Sequence, residues 1–186
     1  MSSIELWLAV GLFAVTGAIV YFVFLTFLFG AGYEPTYQKA VDTMLRFAEV
    51  GPNDVVIDLG AGTGAIVFRA ARTYRARVVG VEIEPIRSLI LRLRRRFGPF
   101  ADHITIVWGD LYRLDFREAT VLTAFLWPGA MAKLKPKLER ELRPGARVVS
   151  HVHEVPGWIP LRHDDETDVY LYRWPDAADA AATDGR

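Results

Sequence analysis

Residues 54 to 65 read DVVIDLGAGTGA, and this stretch decides the fold. An apolar run ends with Asp58, and Gly60, Gly62 and Gly64 follow at every second position. Glycine permits a tight turn and lets a ligand approach the backbone closely. A strand that enters such a turn and continues into a helix is a typical binding site for a nucleotide-like ligand.

Strand and helix patterns alternate along the rest of the chain. Strands are predicted at 55–59, 77–82, 104–109, 119–126, 146–151 and 169–174. Helices are predicted between Pro35 and Gly51 and at 65–74, 85–97 and 130–142, with Pro136 as a candidate break. This alternation implies an α/β fold with a doubly wound, mostly parallel sheet and helices on both faces.

The chain of 186 residues has a formal net charge of zero and no cysteine. Zero net charge gives no general reason to expect nucleic acid as a partner. Without cysteine there are no disulfides, thiol nucleophiles or thiolate metal sites. The four histidines show no metal-ligand spacing, so no metal is predicted. His151 and His153 alternate along a predicted strand, which places one inside and one outside.

Residues 6–29 contain no charged side chain. At about 1.5 Å per residue they are long enough to cross a hydrocarbon core of about 30 Å. A cleaved signal peptide would have a basic start, whereas Glu5 is acidic, and a buried core helix would show a polar stripe. The sequence therefore predicts a transmembrane anchor over residues 1–32.

Residues on either side of this segment predict its orientation in a membrane. Trp7 and Tyr33 are expected near the two interfaces. Lys39 and Arg46 follow the segment, whereas no lysine or arginine precedes it, which predicts a single-pass protein with the rest of the chain in the cytoplasm. Residues 175–186 are small and acidic, and are predicted to be a disordered tail.

Asp58 separates the two ligands that commonly use a glycine turn of this kind. A dinucleotide such as NAD would place its pyrophosphate at the start of the following helix, and the Asp58 carboxylate would repel it. S-adenosylmethionine would instead bring an ammonium group, with a cationic sulfonium nearby. The acid therefore favours S-adenosylmethionine as the cofactor.

Two further acids follow the next two predicted strands. Glu82 can accept hydrogen bonds from both hydroxyls of a ribose. Asp110 can accept a hydrogen bond from an adenine amino group. Ile83 and Leu111 are expected to contact the two faces of the adenine base. Ligands bind at the carboxyl edge of an open parallel sheet, so these residues are expected to meet there.

Several motifs between residues 33 and 158 together resemble a known family. They are YEPT, DLGAGTGAIVFRAAR, GVEIEP, GDL, VLTAFLWP and LKPKLERELRPGARVVSHVHEVPGW. They resemble membrane-anchored, seven-stranded protein-lysine methyltransferases, which include mitochondrial enzymes acting on the adenine nucleotide translocase and the ATP synthase c subunit, and archaeal relatives. The resemblance implies a Rossmann-like methyltransferase domain over 33–174, with Ala61 in the cofactor turn and Thr36 near the methionine end.

The segment after the fourth predicted strand is a candidate substrate pocket. Phe125, Trp127 and Pro128 are expected to border the transferred methyl group, although Phe125 and Trp127 could instead be ordinary core residues. Trp158 is a weaker candidate for the wall, and Glu34 and Tyr37 lie beside Thr36 in the sequence.

The sequence RLRRRF lies in the predicted helix 85–97. Its apolar positions are expected to form the buried face, and its arginines the solvated face. The alternative is that these arginines contact anionic lipid headgroups. The predicted apolar face consists of Ile86, Ile90, Leu93 and Phe97.

Three functions follow from these predictions. The favoured one is a membrane-anchored methyltransferase that acts on protein lysine side chains. The alternatives are a lipid or quinone headgroup methyltransferase and a non-catalytic, membrane-tethered cofactor-binding module, and the three intact acids argue against the module. The predicted partners are a lipid bilayer, through the N-terminal helix, and a protein with an accessible lysine, but no nucleic acid.

Overall fold

The computed structural model of the chain describes residues 2–29 and 35–174. The chain divides into two compact units, Met1–Glu34 and Pro35–Arg186. Four of the sequence predictions concern residues outside the described ranges. They are the domain boundary between residues 32 and 33, Tyr33 at a membrane interface, Glu34 beside the cofactor, and the tail 175–186.

The first unit contains helix α1, Ser3–Phe29. Ser2 and Glu5 form a capping box at its start, in which the Glu5 N–H donates to Ser2 Oγ at 3.3 Å and the Ser2 N–H donates to Glu5 Oε2 at 2.7 Å. Among the described residues, Ser3–Tyr21 is the one helical span long and apolar enough to cross a membrane, and none of it is buried. A signal sequence near an N-terminus would pass the same test of length and composition.

The second unit is built on a seven-stranded sheet with the order β3-β2-β1-β4-β5-β7-β6. Strands β1 to β5 are parallel, and β7 runs antiparallel to both of its neighbours. The sheet is therefore mixed, with β7 as its one reversed strand, and is consistent with the predicted Rossmann-like, mostly parallel fold. The strands are β1 Val55–Leu59, β2 Arg77–Glu82, β3 Ile104–Trp108, β4 Val121–Ala124, β5 Arg147–His151, β6 Arg162–Asp164 and β7 Val169–Arg173.

Helices cover both faces of this sheet. Buried side chains of α2, α3 and α4 pack on one face, and buried side chains of α5 pack on the other. The chain crosses from one face to the other where the strand order reverses, between β1 and β4. A crevice at the carboxyl ends of these two strands is where an open α/β sheet binds its ligand. The helices are α2 Gln38–Phe47, α3 Ala65–Tyr74, α4 Pro85–Phe97 and α5 Pro128–Glu141.

The outer parts of the sheet differ from the prediction. Strand β6 was not predicted because it has only three residues, none of them apolar, and is held by pairing with β7. Four predicted strands are shorter in the structure, because the apolar runs continue into turns where ladder pairing has ended. The helix before β1 begins at Gln38, and Pro35 precedes it.

Helix α5 continues through Pro136 without a break. Proline removes one backbone hydrogen bond within a helix. Here Pro136 and Ala132, whose carbonyl loses that donor, are both exposed, so water can satisfy the carbonyl. The candidate break at Pro136 is therefore wrong.

The predicted burial of α4 is also wrong. Its buried residues are Ser88 and Leu91, which pack towards the sheet. Five large apolar side chains of α4 are exposed instead: Ile86, Leu89, Ile90, Leu93 and Phe97.

Gly64, which begins α3, requires both a positive φ and the absence of a side chain. Its φ is 91°, and an added Cβ would lie 2.5 Å from Phe68 and 2.6 Å from Leu91. We expect Gly64→Ala to lower the free energy of unfolding by about 2 kcal/mol or more, through strain and overpacking. Thermal or denaturant unfolding of the full chain in detergent measures this loss.

Gly129→Ala is the matched control for that measurement. Gly129 lies in α5, and an added Cβ would meet nothing within 4 Å. Alanine is the better helix former, so this variant should be as stable as the parent or more stable by up to about 1 kcal/mol. Equal destabilisation of both variants would contradict the tight packing at Gly64.

Candidate active site

The turn after β1 is shaped by its own backbone. Gly60, Gly62 and Gly64 all have positive φ, at 73°, 56° and 91°. The N–H groups of Gly60 and Ala61 both donate to the Val81 carbonyl, at 3.0 Å and 2.8 Å. The turn is thus fixed to the end of β2. A Cβ on Gly60 would meet only the Leu126 side chain, at 3.8 Å, so the backbone there is open to close approach.

Asp58 is a buried carboxylate within the sheet, with 4% of its surface exposed. Thr123 on β4 donates its hydroxyl to Asp58 Oδ1 at 2.8 Å. Burial raises the pKa of Asp58 to about 7, Thr123 opposes the shift, and the charge of Glu82 adds to it. Within residues 2–29 and 35–174, no lysine or arginine forms an ion pair with this carboxylate.

Glu82 lies at the end of β2 and is already used by the backbone. Its two carboxylate oxygens accept the N–H groups of Gly62, at 2.8 Å, and Glu84, at 2.9 Å. Arg87 donates to the same carboxylate at 3.3 Å. A carboxylate has about four acceptor positions, so one remains for a ribose hydroxyl. Glu82 therefore connects the glycine turn to α4 and keeps one acceptor position for a ribose, where the sequence analysis expected it to accept both hydroxyls.

Glu84 is a structural acid that the sequence analysis did not identify. It is the N-cap of α4, and its carboxylate accepts the N–H groups of Ile86 at 2.8 Å and Arg87 at 2.7 Å. This cap fixes the direction in which α4 leaves the site. A glutamate immediately before a proline-initiated helix is the signal that could have indicated it.

The predicted adenine contacts lie together at the ends of β2 and β3. Asp110 Oδ1 accepts the Tyr112 N–H at 2.9 Å, which leaves its second oxygen for another donor. Leu111 is partly exposed next to it, and Ile83 is exposed after β2. Trp108 was not predicted here, but its Nε1 donates to the Ile83 carbonyl at 3.0 Å and its ring is exposed beside this edge.

Aromatic rings and imidazoles cluster after β4 and β5. Phe125 packs edge-to-face on His151, with ring centroids 4.5 Å apart. Trp127 lies 5.5 Å from His153, and Phe125 lies 6.4 Å from it. Phe125 is partly buried and Trp127 is exposed, so neither is a fully buried core residue. Tyr37 completes the cluster at 5.8 Å from His151.

The two histidines do not alternate as predicted. Strand β5 ends at His151, and Val152 adopts a φ of 64°, a rare conformation for a β-branched residue. The Ser150 hydroxyl donates to the His153 carbonyl, and the Val152 N–H donates to the Asp168 carbonyl at 2.7 Å. This turn reverses the direction of the chain, so the imidazoles of His151 and His153 both lie against the Phe125 ring.

The remaining predicted residues divide between the two edges of the sheet. Thr36 is partly exposed in the segment before α2, directly beside Tyr37 of the cluster. Pro128 is exposed as the first residue of α5, next to Trp127. Trp158 instead packs on Trp174, with ring centroids 5.0 Å apart, and donates to Glu139.

Trp158 therefore does not belong to the pocket. The Trp174 N–H donates to the Ala146 carbonyl, just before β5 begins. This contact lies at the amino edge of β5, whereas Phe125 and Trp127 follow the carboxyl end of β4. The interpretation of Trp158 as a pocket wall is wrong.

In the part of the chain that the structure describes, no group of three or more His, Cys, Asp or Glu side chains could hold a metal ion. The absence of a metal site remains a prediction.

Comparison with known proteins places this geometry in a family. The family model of the ANTKMT methyltransferase domain matches residues 58–162, more than half of the chain. The chain belongs to the ANTKMT methyltransferase family. It is an S-adenosylmethionine-dependent methyltransferase.

Individual relatives agree with this family. A protein-lysine N-methyltransferase of Saccharolobus islandicus is 44% identical over 149 residues, which are 75% of this chain and 91% of that protein. The mouse adenine nucleotide translocase lysine N-methyltransferase is 30% identical over 129 residues, 69% of this chain. The chain spans 56% of the length of that mouse enzyme.

A solved structure resembles the fold and contains a cofactor product. It is described as an RNA methyltransferase from Salinibacter ruber in complex with S-adenosyl-L-homocysteine. It is 44% identical, covers 76% of this chain and 94% of its own, and has a TM-score of 0.74.

The residues of this ANTKMT-family chain fit S-adenosylmethionine. Asp58 is a buried acid without an ion-pair partner in the described parts of the chain, and an ammonium group would supply one. The open backbone at Gly60 admits the methionine half beside it. Glu82 and Asp110 each keep an acceptor position for hydroxyl and amino donors.

The raised pKa of Asp58 predicts that cofactor affinity depends on pH. Below about pH 7 the carboxylate is protonated in the free protein and must lose its proton to pair with an ammonium. Affinity for S-adenosyl-L-homocysteine, measured by calorimetry, should therefore rise with pH by up to about tenfold per unit and flatten above about pH 7.

Asp58→Asn should weaken that binding and remove its pH dependence. Asp115→Asn is the control, because Asp115 is exposed and pairs with Arg117 outside the site. The free protein should show the opposite trend in stability: a pKa raised above the ordinary value means that stability falls as pH rises from about 4 to about 7. A pH-independent affinity of the parent would contradict the role of Asp58.

Proposed function

We propose that this chain transfers methyl groups to lysine side chains of proteins. The observation that carries the proposal is the protein-lysine N-methyltransferase of Saccharolobus islandicus, which is 44% identical and is matched over 91% of its length. The longer mouse relative, described as an adenine nucleotide translocase lysine N-methyltransferase, supports the same acceptor.

When bound, S-adenosylmethionine supplies a methyl group on a cationic sulfonium, which an amine attacks in line. Asp58, held by Thr123, binds and orients the ammonium end. Glu82 and the glycine turn form one hydrogen-bonded unit that fixes the position of the ribose. Correct positioning of the two reactants supplies much of the rate enhancement in such a transfer.

The acceptor lysine must be neutral before it can attack. With a pKa of about 10.4, its deprotonation at pH 7 costs roughly 4–5 kcal/mol. The rings of Phe125 and Trp127 provide an apolar surface that lowers this cost by removing water from the ammonium. Their faces also accommodate a methylammonium product.

His153 is the proposed acceptor of the lysine proton. Its imidazole lies against Trp127 and Phe125 and is partly exposed, so it can return the proton to water. The imidazole would take the proton that the lysine ammonium loses, which would leave the amine lone pair free for the methyl group that a bound S-adenosylmethionine would supply.

His153→Gln should lower kcat by about 100-fold near pH 7 and change its pH profile, with cofactor affinity unchanged. Single-turnover methylation with labelled S-adenosylmethionine measures this effect. His163→Gln is the control, because His163 stacks on Tyr170 and takes no part in the cluster. If kcat of His153→Gln keeps the parent pH profile, His153 does not accept the proton.

We also propose that α1 is retained as a single membrane anchor, with the methyltransferase unit on the cytoplasmic side. The length and apolar composition of Ser3–Tyr21 support the anchor. Lys39 and Arg46, which follow the helix, support the orientation. Membrane proteins, or soluble proteins near the bilayer, are then the accessible substrates.

RNA is a second candidate acceptor, because the Salinibacter ruber structure of 44% identity is described as an RNA methyltransferase. The zero net charge of this chain gives no general reason to favour RNA over protein. A lipid or quinone headgroup is a third acceptor that a membrane anchor would suit.

The identity of the acceptor is tested with full-length protein in native membranes. Methyl-labelled S-adenosylmethionine is added, and the label is measured separately in protein, RNA and lipid fractions. We expect the label in protein, recovered as methyl-lysine after hydrolysis, and no label with Asp58→Asn. Label concentrated in RNA or in lipid would overturn the proposal and identify the other acceptor.

A further inference from the structure

Helix α4 presents its apolar face away from the protein core. Leu89 is 56% exposed and Phe97 is 80% exposed, and three more apolar side chains of the helix are exposed with them. The five apolar residues fall within an arc of about 100° on a helix of 3.6 residues per turn. The buried Ser88 and Leu91 occupy the opposite side. We call this surface the outer face of α4: Ile86, Leu89, Ile90, Leu93 and Phe97.

Arginines lie on both sides of the outer face. Arg87 and Arg94 lie along one margin, and Arg92 and Arg96 along the other. No acidic residue occurs between Pro85 and Phe97. Although the whole chain has zero net charge, this helix therefore carries a strong local positive charge.

Two of these arginines have no structural task within the described residues. Arg94 donates to the Thr63 carbonyl and lies over the Phe68 ring, and Arg95 donates to the Ile104 carbonyl at 2.6 Å. Arg92 and Arg96, by contrast, form no hydrogen bond or ion pair in residues 2–29 and 35–174, and both are exposed. Their charges are available to an outside partner.

We propose that the outer face of α4 lies on an anionic lipid bilayer. An apolar stripe with basic margins is the composition of helices that lie in the plane of a membrane interface. The apolar side chains would enter the boundary between headgroups and acyl chains, and the arginines would contact anionic headgroups. This proposal rests on α4 alone and does not depend on the identity of the methyl acceptor.

The same features distinguish a bilayer from other partners. Nucleic acid would pair with the arginines, but it would leave the aliphatic stripe between them exposed to water. A protein partner that buried the stripe would need acidic groups on both sides of its own apolar surface, and protein cover is one of the outcomes that the test below separates from lipid contact. A bilayer provides an apolar layer and an anionic layer at the required depths.

Membrane contact through α4 would position the cofactor site relative to the bilayer. Helix α4 begins at the Glu84 cap, and Arg87 contacts Glu82. Arg94 also connects the helix to Thr63 in the glycine turn. Lipid on the outer face would therefore hold the site at a fixed height above the membrane surface.

Spin labelling tests the proposal on the full-length protein, which contains no native cysteine. A label on Leu93→Cys reports from the centre of the outer face, and a label on Glu118→Cys is the control on an exposed loop. The protein is reconstituted in phosphatidylcholine vesicles with and without about 30% phosphatidylglycerol. Power saturation with oxygen and with a water-soluble nickel chelate measures contact with lipid and with water.

We expect the Leu93 label to become oxygen-accessible and nickel-protected on the anionic vesicles, while the Glu118 label remains in water. Adding Arg92→Gln and Arg96→Gln should reduce the ratio of lipid-exposed to water-exposed label by about fivefold for each arginine. About 0.5 M salt should have a similar effect, because it screens surface charge. Cofactor affinity of these variants should match that of the parent, which shows that they are folded.

Three outcomes would overturn the proposal. The Leu93 label could stay as accessible to water as the control on both kinds of vesicle. It could be protected from both reagents, which would mean that protein covers the outer face, from α1 or from a second copy. It could also contact lipid equally on neutral and anionic vesicles, which would exclude recognition of anionic headgroups.

Discussion

The Asp58 carboxylate is the constraint on which the rest of the site depends. It is buried inside a parallel sheet, where an unpaired charge is costly, and the Thr123 hydroxyl is its one hydrogen-bond partner among the described residues. No described lysine or arginine pairs with it, and burial raises its pKa to about 7. We propose that the ammonium group of the cofactor supplies the missing charge, at the point where the reversal of strand order opens the sheet.

Glu82 and Asp58 are both acids at strand ends, but the fold treats them differently. Glu82 receives two backbone N–H groups and an arginine, which satisfy its charge before any ligand arrives. Asp58 receives one hydroxyl. The first arrangement fixes the shape of the glycine turn in advance, and the second leaves a buried carboxylate with which the proposed ammonium group would pair. In this proposal, preorganisation and affinity belong to separate carboxylates.

The centre of the fold could be predicted from the sequence because local signals and tertiary structure agree there. Strands 55–59 and 77–82 and helices 65–74 and 85–97 have the predicted bounds. Each is an apolar run or a periodic segment that ends at glycine, proline or a charged turn.

The outer parts of the fold and part of the site depend on contacts that local sequence does not encode. Strand β6 exists only through its pairing with β7. The positive φ of Val152 reverses the chain after β5, and a valine gives no warning of such a turn. The carboxylates were therefore placed at the correct strand ends from sequence, whereas the pairing of His151 and His153 around Phe125 was not foreseeable.

Helix α4 shows the limit of periodicity as evidence. The spacing of its apolar residues correctly predicts an amphipathic helix with the observed bounds, but spacing fixes only which residues share a face. It does not say whether that face meets the protein core. In α4 the core contact consists of Ser88 and Leu91, while the larger apolar surface points outward between two rows of arginines. An exposed apolar surface of this size marks a contact site for a membrane or another protein, and its basic margins favour the anionic bilayer proposed above.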